Sequence, residues 1–149
     1  MRLPPRRDLL FVGAQLALFV ALAVDPFPVT ARVHPWLGAT GLLACAGAVG
    51  FGVAAVFQLG SNLTPWPSPK SSSALVTAGA YGLARHPIYA SLLAFGLGLS
   101  LWTFSPWRLA VTAALYALFR AKARYEERLL AERYPDYEDY AARVPRFGV

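Results

Sequence analysis

Four apolar stretches, each nearly free of charge, divide the chain. Residues 9–24 carry no charged side chain, residues 36–59 carry none over 24 positions, and 88–102 and 107–119 follow with only Arg108 among them. About 20 apolar residues cross a bilayer as a helix, so the second stretch is long enough and the last two are short. Short spans tilt little, thin the bilayer locally, or pair as a hairpin around a cavity. Breakers fall between the stretches. Asp25-Pro26-Phe27-Pro28 ends the first, because proline lacks an amide donor and clashes inside a helix. Pro65, Pro67 and Pro69 make the connection 60–78 a loop, and its length marks it as a candidate for function. Pro87 suits the first turn of a third helix, and Ser105-Pro106 turns into a fourth.

The last stretch runs without a breaker into Arg120, Lys122, Arg124, Glu126, Glu127, Arg128, Glu132 and Arg133, then meets Pro135. One helix is therefore predicted to leave the membrane as a charged extension, with another short helical turn over 136–142. The fold class that follows is all-α: a polytopic integral membrane protein of one domain, residues 1–149, with helices at about 9–24, 36–59, 88–102 and 107–119 and a cytoplasmic helical tail. The first stretch also has the form of a signal peptide. The three further apolar segments favour a first transmembrane helix anchored by Arg6 and Arg7. In the second, Gly47, Ala48 and Phe51 sit near the middle, where small residues permit close helix approach.

Composition agrees with this reading. Apolar residues make up 56% of the chain and charged residues only 15%, against roughly 25% in soluble domains. The net charge of +6 arises from basic residues flanking apolar segments, which fits anionic lipid headgroups rather than nucleic acid. With both termini inside, 12 of the 14 lysines and arginines are cytoplasmic and only Arg32 and Arg108 are outside. The single cysteine, Cys45, lies in an apolar run and reads as a small core residue, with no disulfide or metal cluster to be built from it.

Two polar groups then share the cytoplasmic face. Gly79-Ala80-Tyr81 and Arg85-His86-Pro87-Ile88-Tyr89 set a turn, two aromatics, a guanidinium and an imidazole at the start of an apolar helix. Alone, Arg85 and His86 read as interface anchors. The tail, with Lys122 and Glu126 at i, i+4, alone reads as a solvated helix. Together they bring cations and carboxylates to one side of the membrane, where polar groups require partners.

The pattern Gly79-x-Tyr81-x-x-x-Arg85-His86-Pro87-x-Tyr89, followed by Arg124-x-Glu126-Glu127-x-x-Leu130, Tyr137-x-x-Tyr140 and Arg143-Val144-Pro145, resembles the isoprenylcysteine carboxyl methyltransferase family. Related phospholipid N-methyltransferases share the Arg-His-Pro and paired-glutamate core. The resemblance covers roughly residues 60–147, and Asn62-Leu63-Thr64-Pro65 is similar to bacterial members. Ala80 and Ser91 depart from the family's common proline and glycine without removing a polar ligand.

The resemblance implies S-adenosylmethionine as methyl donor and a bacterial inner-membrane location. It assigns Leu75, Val76, Tyr81, Arg85, His86, Pro87, Tyr89, Glu126 and Glu127 to donor binding, with Lys122 or Arg124 facing the acceptor. The start of the His86-Pro87 helix suits the donor's carboxylate, and Glu126 suits its ammonium or the adenosyl hydroxyls. Tyr137, Tyr140 and Arg143 are expected to fold the tail over the site. The implied partner is a lipophilic or lipid-linked acceptor, carboxylate, amine or thiol, with no nucleic acid and no metal. Two rivals remain: an NADPH-dependent membrane reductase of the sterol reductase type, and a non-enzymatic membrane assembly protein.

Overall fold

The computed structural model describes residues 5–28, 34–68 and 73–148. Arg2, Arg32, Lys70 and Pro69 lie outside the described residues. Among the described residues six α-helices follow in order: α1 Arg6–Ala23, α2 Pro35–Leu59, α3 Ala80–Leu83, α4 Pro87–Thr103, α5 Pro106–Arg133 and α6 Tyr137–Arg143, with a 3-10 turn at Gly60–Asn62. Among the described residues there is no strand, and the β-branched piece 75–77 is irregular chain.

The helix starts use the expected chemistry. Pro35, Pro87 and Pro106 open α2, α4 and α5 at positions where no amide donor is needed. The Ser105 hydroxyl caps α5 by accepting the Arg108 N–H at 3.1 Å. Phe104, in the left-handed region at φ 50°, ends α4 and lets the chain reverse. Arg108 does not serve as a loop charge. Its guanidinium donates to the Leu22 carbonyl at 3.2 Å and reaches Asp25 at 3.9 Å, while the Trp107 indole donates to Ala21 and Val24 carbonyls. The α5 start thereby satisfies the carbonyls that the end of α1 leaves open.

The packing is α2 on α4, α4 on α5 and α1 on α5. Leu22, Leu93, Val111, Leu115 and Phe119 form the larger core, and Ala55, Ala80 and Tyr81 a second one under the cavity described below. The close approach of α2 is displaced from the predicted centre: a side chain at Gly47 would meet nothing within 4 Å. At Gly41 a β-carbon would lie 2.5 Å from the Trp102 nitrogen and 2.6 Å from the Gly98 oxygen. The real contact is thus backbone against backbone nearer the start of α2. Gly41→Ala is expected to force the helices apart and to destabilise by at least about 1–3 kcal/mol. Gly47→Ala should leave stability unchanged or raise it slightly, since alanine is the better helix former. Melting curves of the two variants in detergent check the pair.

Large apolar side chains cover the outside of the bundle, with Leu10 and Leu43 73% exposed and Phe57 80% exposed. Among the described residues one segment, Pro35–Asn62, is both long and apolar enough by itself to cross a membrane, with mean hydropathy 2.0. The apolar helix Pro87–Thr103 is shorter.

Candidate functional site

A cavity of about 440 Å³ opens where the loop after α2, the start of α4 and the charged half of α5 converge. Gly79, at φ 63°, makes the turn that places α3 beneath it. The Gln58 side chain accepts the Ala80 N–H at 2.7 Å, and the Tyr140 hydroxyl donates to the Tyr81 carbonyl at 2.6 Å. The C-terminal segment then returns along the α4 start. Arg85 N–H donates to the Pro145 carbonyl and His86 N–H to that of Arg146, at 2.9 and 3.0 Å.

His86 is the centre of the polar network. Its side chain is only 7% exposed and lies between two carboxylates, Nδ1 3.3 Å from Glu126 Oε2 and Nε2 3.2 Å from Glu127 Oε1. Burial by itself pulls the imidazole's affinity for its proton down, but hydrogen bonds and charge from both glutamates outweigh it and raise the pKa above the ordinary value. His86 stacks on Tyr89 with centroids 5.4 Å apart, and Tyr89 stacks on Phe119 at 4.6 Å. The Tyr89 hydroxyl donates to Glu126 Oε1 at 2.5 Å.

Glu127 is a structural anchor. Arg146 grips it with two N–H donors at 2.8 and 2.6 Å, and Arg85 lies 3.6 Å away. Burial works to raise its pKa, but these hydrogen bonds from Arg146 and His86, with the nearby charges, bring it down to about 2. The signs of the two shifts define a pH window. The Glu127 contribution is complete above its ordinary value of 4.5 and is lost as pH falls towards 2. The His86 contribution is complete below 6.5 and is lost as pH rises through its raised value. Stability from this cluster should therefore be greatest between about pH 4.5 and 6.5. Melting temperature against pH tests this, and a steady rise from pH 5 to 9 would contradict it.

Lys122 is almost fully buried at 3% exposure, so the solvated-helix reading fails at this residue. Its ammonium donates to Gln15 Oε1 at 2.9 Å and the Pro65 carbonyl at 3.4 Å, and stands 5.2 Å over the Tyr89 ring. Among the described residues no ion pair joins it to Glu126 within 4.0 Å, despite their i, i+4 spacing.

Leu75, Val76, Tyr81, Arg85, His86, Pro87, Tyr89, Glu126 and Lys122 all line the cavity. Glu127 stands behind His86 and is not part of that lining, and Arg124 is exposed on another side of α5. Tyr137 and Tyr140 are buried at the cavity wall, whereas Arg143 donates to the Asp139 carbonyl on its own helix. Arg146 is the tail residue that reaches the network. The sequence reading missed Gln15 and Gln58, although they are the two amides within the apolar stretches, and Arg146, just beyond the last motif.

A family model described as phospholipid methyltransferase matches residues 36–137. The chain belongs to the phospholipid methyltransferase family. One relative of this family member is the cobalt-zinc-cadmium resistance protein CzcN of Cupriavidus metallidurans, 39% identical over 107 residues, covering 71% of this chain and 49% of that protein. Another is the protein-S-isoprenylcysteine O-methyltransferase of Mus musculus, 33% identical over 118 residues, covering 74% of this chain and 40% of that one. The eukaryotic intramembrane Ras methyltransferase superposes with a TM-score of 0.70 at 25% identity, over 96% of this chain and 53% of its own. The family member thus has the all-helical fold of that membrane protein and spans about half the length of the relatives it matches, or less.

Proposed function

We propose that the protein is an S-adenosylmethionine-dependent methyltransferase of the membrane, acting on a lipophilic acceptor at the cytoplasmic face. The observation that carries this reading is the cavity itself, with the start of α4 on one side and the Glu126 carboxylate on another. Its volume falls within the range of small-molecule sites, roughly 300–1,000 Å³. The first turn of α4 leaves amide donors without helical partners, which suits the donor's carboxylate. Glu126 suits its ammonium. Tyr81 offers an aromatic face to the adenine, since the Tyr89 ring is already stacked with His86 and Phe119. The Arg85 guanidinium and the Tyr137 hydroxyl, both in cavity-lining residues, lie against one another and give this wall a polar edge. The donor supplies an electrophilic methyl group on a sulfonium. The chain's own work is to hold that group and the acceptor in line and keep water out.

A second, apolar cavity of about 500 Å³ between α2 and α4 is lined by Val53, Phe57 and Phe95 and shares Ile88 and Leu92 with the first. It supports entry of an acceptor's hydrocarbon part from the lipid. Lys122 would face the acceptor's head, and its positive charge favours a carboxylate or thiolate over an amine. Arg124, exposed, is the weaker candidate for that role. The split of basic residues and the apolar exterior support four membrane helices with both termini cytoplasmic, in a bacterial inner membrane, as one domain over residues 1–149.

Calorimetric titration of the detergent-purified protein with S-adenosylmethionine is expected to give saturable one-site binding. Binding of NADPH instead would favour the reductase, and binding of neither would leave a non-enzymatic membrane protein.

A further inference from the structure

Helix α1 lies outside the residues matched by the family model, yet it reaches the cavity. Asp8, Phe11, Gln15, Leu18 and Leu22 repeat at alternating spacings of three and four, one face of a helix packed on a neighbour. Leu18 and Leu22 pack with Val111, Leu115 and Phe119, and Phe11 stacks on Tyr125 at 5.9 Å. An apolar seam would carry apolar residues throughout. Here two of the five positions, both at the cavity end, are polar. Asp8 is fully buried, at 0% exposure, and one of its oxygens has no hydrogen-bond partner among the described residues. Such a group is destabilising in itself.

Both polar residues act on the same loop. Asp8 Oδ2 accepts the Ser68 N–H at 3.3 Å. Gln15 holds the Lys122 ammonium, which in turn donates to the Pro65 carbonyl. The stretch between these ties, with Leu63, Thr64, Trp66 and Pro67, is a wall of the cavity. Three of its six residues are Pro65, Pro67 or the Thr64 whose hydroxyl takes the Trp66 N–H, so its shape is preset and only its placement needs fixing. Burial promotes loss of the Lys122 proton, and the charge of Glu126 and, less strongly, that of Asp8 oppose it.

We propose that α1 is a working part of the site, in which Asp8 and Gln15 are positioning residues that hold residues 63–68 and the Lys122 ammonium as one wall of the cavity. The proposal rests on the methyltransferase reading only for its effect on donor binding.

The test is amide hydrogen exchange of the full chain in detergent, read on peptides spanning 63–68, beside melting curves. Asp8→Ala removes a charge-assisted hydrogen bond and should speed exchange of that segment by about ten- to a hundredfold. Asp8→Asn keeps an oxygen acceptor of the same shape and should restore slow exchange. Gln15→Leu leaves the buried Lys122 ammonium without its nearer acceptor, so exchange of 63–68 should quicken by more than the fall in melting temperature accounts for, whereas Gln15→Glu, which keeps an oxygen acceptor, should restore slow exchange. If Asp8→Ala does not fold, Gln15→Leu decides. Unchanged exchange in the variants, or exchange that only follows melting temperature, overturns the proposal. S-adenosylmethionine affinity should fall in Asp8→Ala and return in Asp8→Asn. Absence of donor binding in the unaltered protein would remove the methyltransferase reading and leave the wall to be decided by exchange alone.

Discussion

Replacing Glu127 with alanine is expected to destabilise the protein by about 3–5 kcal/mol, the loss that follows when one partner of a buried ion cluster is removed. The carboxylate receives Arg146 twice, His86 once and lies near Arg85, and these side chains are 26%, 7% and 14% exposed. Without it three cations remain together in poor solvent. The consequence is not confined to charge. Arg146 is the point at which the C-terminal segment is pinned, and the backbone bonds from Arg85 and His86 to Pro145 and Arg146 depend on that placement. Faster amide exchange over 144–148 should accompany the lowered melting temperature. The acid limb of the pH–stability curve should also flatten, because the group whose protonation produces it is gone. A loss below about 1 kcal/mol would mean that Glu127 behaves as an exposed pair.

The helices were legible because their signals are local. Proline at the first turn of α2, α4 and α5, serine before α5, and the uninterrupted run from Trp107 past Arg120 each fix an end or a continuation without reference to the rest of the fold. The cavity-lining residues were legible because the two motifs occur together. Partner choice was not. Lys122 and Glu126 are one turn apart on α5, and spacing alone pairs them, but tertiary packing turns Lys122 to Gln15 and Glu126 to Tyr89 and His86. The division of labour between Glu126 and Glu127 is likewise invisible in the sequence, because adjacent residues on a helix point about 100° apart and only the neighbouring elements decide which one meets the cavity. The place of closest helix approach was misread for the same reason. Gly47 and Gly41 are equally small, and only the position of α4 distinguishes them.

That division gives the opposite expectation for Glu126. Its oxygens take the Tyr89 hydroxyl and lie 3.3 Å from His86 Nδ1, and it lines the cavity that Glu127 does not reach. Glutamine keeps the shape. Its carbonyl can accept from His86 while its amide donates to the Tyr89 oxygen, and the His86 charge still has Glu127. Glu126→Gln is therefore expected to melt close to the unaltered protein. What it removes is the negative charge facing the proposed donor ammonium. A hydrogen bond to a charged group contributes about 1.5–3 kcal/mol, so S-adenosylmethionine affinity should fall roughly 10- to 150-fold. Calorimetric titration beside melting curves for Glu126→Gln and Glu127→Ala separates the two glutamates, one losing affinity with its fold intact and the other losing its fold. Undiminished affinity in Glu126→Gln would make this carboxylate a partner of His86 alone and would place the ammonium elsewhere in the cavity.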